Sequence, residues 1–507
     1  MAQEIELKLA LAEAAQGRLL RHPLLRQATT KQACRLVNLY YDTPALELRA
    51  QGIGLRLRAQ GKRWLQTVKC AGLAAGGLSS RPEWETPYAG HFDFSAIDDP
   101  AVRDWLARPK LKARIAPIFE TSFQRITWTF AAPGGGRVAL MLDRGWIAAG
   151  GQREAISEVE IELLDGAPEH LFAIASALAE RVPLVPAPLS KAERGYRLFR
   201  HAPPAPVRAP PIALAATASP LAAFRRIGLG CLDHLQQNHP GACRYDDPEY
   251  IHQMRIATRR LRAALRLFAP LLPSGLAETV MPPLRELMAR LGHARDLDVL
   301  LAEIAEPVLQ ALPDEPRLAA LVGIITARRC DARLAARDFL GERRYGASLL
   351  HVLATLHGLE DAAGSAAPTL IDFAGNRLRR LRKRVLALAA QASIEDPASL
   401  HALRIGIKRL RYALEFFAPL AVPREMRRVL ARLASLQEAL GQINDLANAG
   451  ELLMDCAHER GGDPRLREAV TLIGGWHGPR HHKLLNVVPR GLRRLGKLRL
   501  PKLVASP

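Results

Sequence analysis

Acidic and basic side chains alternate with apolar ones in several short segments of the first 200 residues. In the segment from Glu4 to Leu9, the charges occupy one face of an extended chain, and Ile5, Leu7 and Leu9 occupy the other. Arginine and lysine bind phosphate oxygens, whereas clustered carboxylates bind hard cations such as Mg²⁺ or Mn²⁺. These residue types therefore suit metal-assisted chemistry on a phosphate chain.

Eight segments share this alternation and are predicted to be strands: 4–9, 36–41, 55–58, 67–69, 81–85, 125–128, 140–143 and 157–163. One such strand alone is typical of a half-solvated sheet edge. Eight strands whose polar faces carry both signs of charge predict a closed antiparallel barrel. In that barrel the apolar faces pack outward on helices, and the polar faces line a central tunnel.

The whole-chain composition limits the partners and the compartment. A formal net charge of +21 predicts a polyanionic partner, namely nucleic acid, polyphosphate or an anionic membrane. Aromatic residues make up only 5%, which leaves few stacking platforms, so no specific nucleic acid is expected. The six cysteines form no CxxC pair and favour a reducing compartment. Because the sequence has neither a signal peptide nor a long apolar run, we expect a cytoplasmic protein without membrane contact.

A proline- and alanine-rich stretch at residues 201–217 is predicted to be a linker. The sequence alternates before the linker and has helical periodicity after it. The predicted fold is therefore an α+β N-terminal domain, an eight-stranded antiparallel tunnel barrel with outer helices over residues 1–200, followed by an all-α domain over residues 218–507.

The second half contains an internal repeat. The segment that begins at His252 matches the one that begins at His401, and Leu291–Leu297 matches Leu440–Leu446 at the same offset. This predicts two duplicated helical bundles, at about 218–365 and 366–507.

Each copy places basic residues along one stripe of a helix, at a spacing that matches the helical period. The first stripe contains His252, Arg255, Arg259, Arg262 and Arg266, and the second contains His401, Arg404, Lys408 and Arg411. Such stripes repel themselves unless a polyanion neutralises them. The alternative is a solvated face that distant acids compensate. Asp296 and Asp445 are expected to support arginines or to cap helices.

The first half resembles the CYTH, or triphosphate tunnel metalloenzyme, superfamily. The likeness depends on an ordered set of motifs: Glu4-x-Glu6-x-Lys8, Tyr40-Tyr41-Asp42-Thr43, Leu55–Arg58, Thr67-Val68-Lys69, Arg81–Glu85, the Glu158/Glu160/Glu162 strand and Ser190-Lys191. The resemblance implies a tunnel that hydrolyses triphosphate-bearing substrates with Mg²⁺ or Mn²⁺.

The same resemblance implies residue roles. The catalytic residues would be Glu4, Glu6 and Lys8. Residues near metal would be Glu4, Glu6, Asp143, Glu158, Glu160 and Glu162. Residues on triphosphate would be Lys8, Arg56, Arg58, Lys69, Arg125 and Lys191. Glu83 and Glu85 would be acidic tunnel residues without an assigned role. Separately, Asp42 is interpreted as a turn residue with an Asx hydrogen bond, and Arg194 and Tyr196 as packing the last segment.

The second half resembles the CHAD domain, which implies binding of inorganic polyphosphate by the two basic stripes. The expected function is hydrolysis of inorganic triphosphate in a charged tunnel with an attached polyphosphate-binding domain, in a protein that associates with polyphosphate granules. Two alternatives remain open. One is another CYTH chemistry, adenylate cyclase or thiamine triphosphatase, and the other is a non-catalytic polyphosphate-binding protein. Chain-length preference, choice of metal and oligomeric state do not follow from the sequence.

Overall fold

The computed structural model describes residues 2–61, 63–75, 77–131, 135–360, 368–458 and 463–504, which form two compact units. The first, named here the barrel unit, comprises Met1–Val207, Gln236–Cys243 and Leu340–Gly358. The second, named here the helical unit, comprises Arg208–Leu235, Arg244–Phe339 and Leu359–Pro507. Within the described ranges, no helix has the length and hydrophobicity that a membrane crossing requires.

Ten strands, counted over the described part of the barrel unit, join in one antiparallel sheet. They are β1 Ala2–Leu11, β2 Thr30–Asp42, β3 Ile53–Gln60, β4 Arg63–Cys70, β5 Leu73–Ala75, β6 Leu78–Pro87, β7 Ala116–Ala131, β8 Arg137–Ala149, β9 Gln152–Asp165 and β10 Leu184–Pro186. Eight of them close a ring in the order β1-β9-β8-β7-β2-β3-β4-β6, because β6 also pairs with β1. The short strands β5 and β10 extend it. The predicted eight-stranded antiparallel barrel is thus confirmed.

The sixteen α-helices of the described residues fall mostly in the second half. In the first half they are α1 Gln16–Leu20, α2 Glu47–Ala50, α3 Pro100–Leu106, α4 Pro109–Lys112, α5 Glu169–Ala179 and α6 Lys191–Phe199. The others are α7 Pro220–Arg244, α8 Pro248–Phe268, α9 Leu276–Val299, α10 Glu306–Ala311, α11 Pro316–Gly341, α12 Arg343–His357, α13 Leu370–Gln391, α14 Pro397–Phe416, α15 Pro423–His458 and α16 Pro464–Gly496.

Apolar side chains of the barrel strands pack outward against helices, as the alternation predicts. Leu55 and Val68 are buried in a cluster with Leu106 of α3 and Leu111 of α4. Burying one such side chain contributes about 1.5–3 kcal/mol, so the outer layer fixes which strand face points inward. The polar residues between these positions must then line the interior.

One end of the barrel interior is filled by α6. A capping box between Ser190 and Glu193 starts this helix, which places Lys191 in its first turn. Tyr196 of α6 packs edge-on against Phe119, which stacks on Tyr40 at 4.4 Å between ring centroids. Residue 195 must be glycine for this contact, because a Cβ there would lie 2.2 Å from the Phe119 ring. Helix α6 therefore carries Lys191 toward the inward strand faces.

The barrel unit also includes α12 from the second half of the chain. This helix packs against β10 and α5. Gly346 permits the approach, since a Cβ at this position would lie 1.9 Å from the Leu184 carbonyl oxygen. The rings of Phe172 and His357 pack 5.3 Å apart across the same contact.

The helical unit repeats the order of elements that the sequence repeat predicts. Helix α8 leads through a short 3₁₀ turn into α9, and α14 leads through a similar turn into α15. Helices α8 and α14 pack against each other. The buried faces of α8 and α14, opposite the basic stripes, hold apolar residues: Leu261, Leu265 and Phe268 in the first repeat, and Leu403, Leu410, Leu414 and Phe417 in the second. The predicted boundary between the repeats, at residues 365 and 366, lies outside the described residues.

Candidate functional site

Three buried carboxylates meet inside the barrel. Asp143 on β8 pairs directly with Glu158 on β9, and Glu160 lies two residues further on the same face. Ligand oxygens of Asp143, Glu158 and Glu160, here called the acid triad, lie within 4.8 Å of one another. Their side chains are 0–8% exposed. An all-oxygen donor set is what hard divalent cations prefer, so the triad could hold a metal ion.

Lysine and arginine side chains contact the triad from two directions. Lys191 Nζ lies 2.6 Å from Asp143 Oδ2, 2.5 Å from Glu158 Oε1 and 2.9 Å from Glu160 Oε1. Three negative charges around one ammonium outweigh burial and raise the pKa of Lys191. Lys191 thus neutralises part of the negative charge of the acid triad, which a metal ion would otherwise neutralise.

Arg125 approaches the triad from β7. Its Nε and Nη2 donate to the two Asp143 oxygens at 2.7 and 2.6 Å, and Nη2 also contacts Glu160 Oε2 at 2.5 Å. Burial alone would raise the pKa of Glu160, but Lys191, Arg125 and Lys8 outweigh it and hold that pKa well below its usual range. Glu160 is therefore a carboxylate at neutral pH, as a metal ligand must be.

A second acidic group is formed by Glu4 and Glu6 on β1. Lys69 Nζ lies 2.7 Å from Glu4 Oε2, and Arg81 donates to Glu4 Oε2 at 3.0 Å and to Glu6 Oε1 at 2.8 Å. Lys8 Nζ lies 3.6 Å from Glu6 and 3.5 Å from Glu160, so it connects this group to the acid triad. The charges of Glu6 and Glu160 overcome burial and raise the pKa of Lys8.

Glu162 stands directly opposite Glu6 across the β1–β9 pairing. Burial, with the charges of Glu4 and Glu6, raises the pKa of Glu162 to about 7. Among the described residues, no hydrogen bond or ion pair to Glu162 is found. Like charges directly opposite on neighbouring strands destabilise a sheet, so this face favours a bound cation.

Further cations cluster on β3 and β4. Arg56 lies 3.3 Å from Glu83 Oε1, and Lys69 lies 2.9 Å from Glu83 Oε2. Arg58 Nε donates to Asn38 at 2.9 Å, and burial with the charges of Arg56 and Arg125 lowers the pKa of Arg58 to about 10. Mutual repulsion among buried guanidinium groups is relieved by an anion, which fits a phosphate chain.

The structure thus brings the predicted barrel residues into one charged interior. Glu85 lies at its edge and accepts a hydrogen bond from Thr67 at 3.0 Å. Asp42 instead accepts backbone N–H bonds from Thr43, Leu48 and Arg49, as expected for a turn residue.

Sequence reasoning gave no site role to two arginines. Arg81 was part of the predicted strand 81–85, but its bridge between Glu4 and Glu6 was not expected. Arg194 was interpreted as packing the last segment. Its Nη1 in fact lies 3.1 Å from Glu158 Oε2, so this helix side chain reaches the acid triad. Its spacing of three from Lys191 was the available signal.

In the helical unit, the two basic stripes lie on the packed pair α8 and α14. Arg255 and Arg404 occupy equivalent positions and lie 3.8 Å from Asp296 and 3.6 Å from Asp445. His401 Nδ1 lies 2.6 Å from Asn444 Oδ1. His252 is half-buried, and burial with the charge of Arg295 lowers its pKa to about 4, so it is neutral at physiological pH.

The stripes approach each other closely enough to interact. Burial, with the charges of Arg404 on its own helix and Arg259 on α8, lowers the pKa of Lys408 to about 7. Arg266 is affected in the same way, since burial and the charges of Arg262 and Arg409 lower its pKa. Arg411 is partly compensated by Glu415 at 3.0 Å. Cations from both repeats therefore form one surface with an excess of positive charge.

Comparisons with known proteins agree with this division. The CYTH domain model matches residues 2–196, and the CHAD domain model matches residues 226–454. An inorganic triphosphatase of Haemophilus influenzae is 32% identical over 199 residues, which cover 39% of this chain and 55% of the relative, so the match spans about half of that relative. The crystal structure of the CHAD domain from the plant Ricinus communis is 35% identical, with a TM-score of 0.50, and the match covers 59% of this chain and 99% of that one.

Proposed function

We propose that this chain, which carries a CYTH domain at residues 2–196 followed by a CHAD domain at residues 226–454, is a divalent-metal-dependent hydrolase of inorganic triphosphate. The observation that carries the proposal is the acid triad of Asp143, Glu158 and Glu160, buried beside Arg125, Lys8 and Lys191 inside a closed barrel. The triphosphatase relative supports the same reaction class.

The proposed role of each acidic group depends on its position in the barrel. The acid triad would hold Mg²⁺ or Mn²⁺. Glu4 and Glu6 lie on the neighbouring strand β1, and Glu162 lies on β9 two residues beyond Glu160. When bound, such an ion supplies neutralisation of phosphate charge and activation of water. Its entry requires Lys191 to give up part of its contact with three carboxylates.

The cations would hold the phosphate chain. Arg125, Arg56 and Arg58 present guanidinium groups that match phosphate geometry bidentately, and Lys69 adds a point charge. Each already pairs with a carboxylate or an amide oxygen, which fixes its direction before substrate arrives. Such preorganised charges stabilise the charge that develops as a phosphoanhydride bond breaks.

An all-phosphate substrate is favoured over a nucleotide or thiamine triphosphate. The interior groups described above are charged or strongly polar, and the aromatic rings at the α6 end pack against one another. Tyr40 stacks on Phe119, and Tyr196 packs edge-on against Phe119, so these rings contact one another. Recognition of a base needs an aromatic face that is free for stacking.

A substrate panel tests this proposal. Phosphate release is measured from triphosphate, pyrophosphate, long polyphosphate and ATP with Mg²⁺ and with Mn²⁺, together with cyclic AMP formation from ATP. We expect phosphate release from triphosphate to exceed that from the other three substrates. Cyclic AMP formed without phosphate release from triphosphate would establish the cyclase alternative instead.

The second proposed activity is binding of inorganic polyphosphate by the helical unit. It is supported by the joined basic surface, in which Arg259 of one repeat faces Arg404 and Lys408 of the other. Binding of long polyphosphate and of duplex DNA is compared at equal phosphate concentration over a salt series. Preference for DNA would contradict the assignment.

A further inference from the structure

A pocket of about 450 Å³ lies on the outer wall of the barrel, where β7 runs between β2 and β8. Its polar side chains are in register across the three strands, since Gln124 of β7 stands opposite Arg35 of β2 on one side and Arg144 of β8 on the other. Because Asp143 points into the barrel, the next residue, Arg144, points outward. The pocket, named here the outer pocket, is therefore separate from the charged interior.

The two arginines of the outer pocket contact neutral oxygens. Arg35 Nη2 donates to Ser122 Oγ at 3.5 Å, and Arg144 Nη2 donates to Gln124 Oε1 at 2.9 Å. Over the described part of the chain, no carboxylate oxygen lies within 4.0 Å of either guanidinium, whereas Arg137 on the same strand as Arg144 pairs with an acid at 2.7 Å. Two uncompensated cations, about 10 Å apart at Cα by two strand spacings, thus face one pocket.

One edge of the Arg144 guanidinium is only half used. Its Nη2 contacts Gln124, but the adjacent Nε is buried and has no hydrogen-bond acceptor among the described residues. Inside the barrel, the same edge of Arg125 donates through Nε and Nη2 to both oxygens of Asp143. Phosphate accepts such paired donors, so a phosphate that displaces the Gln124 side chain would satisfy both N–H groups of Arg144.

An aromatic side chain lines the same pocket. Trp146 is half-buried and stands opposite Ser122 in the pairing of β7 with β8. The Arg153 guanidinium lies over its ring, with Cζ 4.7 Å from the centroid. Tryptophan offers a surface on which a base can stack. The volume of the outer pocket falls within the range of about 300–1,000 Å³ that is typical of small-molecule sites, so it can accept more than a single phosphate group.

We propose that the outer pocket binds a nucleoside monophosphate, with Arg35 and Arg144 holding the phosphate and Trp146 packing against the base. The charge of the two arginines selects an anion, and the ring and the volume select an anion with an attached base. This inference does not depend on the proposed hydrolysis, because the outer pocket and the acid triad lie on opposite faces of the barrel sheet.

The test is calorimetric titration of the full chain with AMP and, separately, with inorganic phosphate at fixed ionic strength. We expect AMP to bind at least about tenfold more tightly than inorganic phosphate, because only AMP has a base that can pack on Trp146. Absence of AMP binding, or equal affinity for the two ligands, would overturn the inference.

Variants then locate the bound AMP. Arg35→Gln and Arg144→Gln should each weaken AMP binding at least about tenfold, since each removes charge-assisted hydrogen bonds to phosphate. Trp146→Leu should weaken it several-fold. Thermal unfolding checks the fold of each variant, and the exposed position of Arg35 keeps the test available if Trp146→Leu is unstable.

Two further arginines serve as comparisons. Arg108→Gln changes an exposed residue outside the outer pocket and should leave the affinity for AMP unchanged. Arg56→Gln changes a buried residue of the barrel interior and should also leave it unchanged. Weaker AMP binding in Arg56→Gln with none of this loss in Arg144→Gln would place AMP in the tunnel and overturn the inference.

Discussion

Glu6 and Glu162 face each other directly across two hydrogen-bonded strands of the barrel, β1 and β9. Two carboxylates in this position repel each other, and the sheet gains nothing from the pairing. Residue arrangements that destabilise the unliganded protein are common at functional sites, where binding of a ligand offsets the destabilisation. A divalent cation held by the acids of the barrel interior would do so.

Glu162→Gln should therefore stabilise the metal-free protein while weakening its response to metal. At pH 8, above its raised pKa of about 7, Glu162 is ionised. Removing that charge relieves repulsion worth up to about 1 kcal/mol, and a barrel of this size would melt about 2–4 °C higher. Thermal unfolding is followed in EDTA and in Mn²⁺. If the gain in Tm caused by Mn²⁺ equals that of wild type, Glu162 does not contribute to cation binding.

Lys191→Met should have the opposite effect in EDTA. The substitution leaves Asp143, Glu158 and Glu160 without their shared ammonium, and breaking a buried ion pair costs about 3–5 kcal/mol. Because Mn²⁺ can replace the missing charge, the metal-dependent gain in Tm should exceed that of wild type. Lys110→Met, at an exposed site, is the control. Equal metal responses in the two variants would show that lysine and metal do not compete.

The alternation in the sequence was enough to predict the barrel. Charged and apolar residues alternate in segments such as Glu158-Val159-Glu160-Ile161. Because the apolar face packs outward against helices, the charged face must point into the barrel. Which residues these side chains contact across the barrel was harder to predict from the sequence. That Glu6 meets Glu162 depends on which strands become neighbours, and β1 and β9 lie at opposite ends of the domain sequence.

Arg194 reaches the site from outside the alternating pattern, and its role there was not predicted. Arg194 lies on a helix, and its contact with Glu158 depends on the packing of α6 against β7, β8 and β9. Helical periodicity predicted the basic stripes well, because 3.6-residue spacing places residues on one face regardless of tertiary context. It did not reveal that Arg259 and Lys408, from different repeats, would face each other.

The affinity for polyphosphate should fall as pH rises from 6 to 8. Lys408 has a lowered pKa of about 7, so it is charged below this pH and loses its charge above it. A polyanion binds the protonated form more tightly, which sets the sign of the effect. Titrations of full-length protein at fixed ionic strength measure it. In Lys408→Arg, whose charge persists, the pH dependence should be smaller, and an unchanged profile would assign the effect to another group.

Arg259→Gln should weaken polyphosphate binding and reduce its salt dependence. Each cation that contacts phosphate releases counterions, so losing one should lower the slope of log K against log salt by about 1. Arg465→Gln, at an exposed position of α16 in the same unit, is the matched control and should leave the slope unchanged. Equal slopes in the two variants would place the polyanion elsewhere.

The acids inside the barrel should be required for metal-dependent hydrolysis. Glu6→Gln keeps the shape of a residue that contacts Arg81 and Lys8 but removes its charge. Glu13→Gln changes an exposed acid and is the control. Polyphosphate binding, measured in parallel, checks that Glu6→Gln leaves the helical unit intact.

The most direct measurement is phosphate release from inorganic triphosphate by wild type and by these two variants, with Mg²⁺, with Mn²⁺ and with EDTA. We predict turnover by wild type and Glu13→Gln that EDTA abolishes, and a loss of at least about 100-fold in Glu6→Gln with polyphosphate binding retained. Turnover that persists in EDTA, or that is unchanged in Glu6→Gln, would contradict the account.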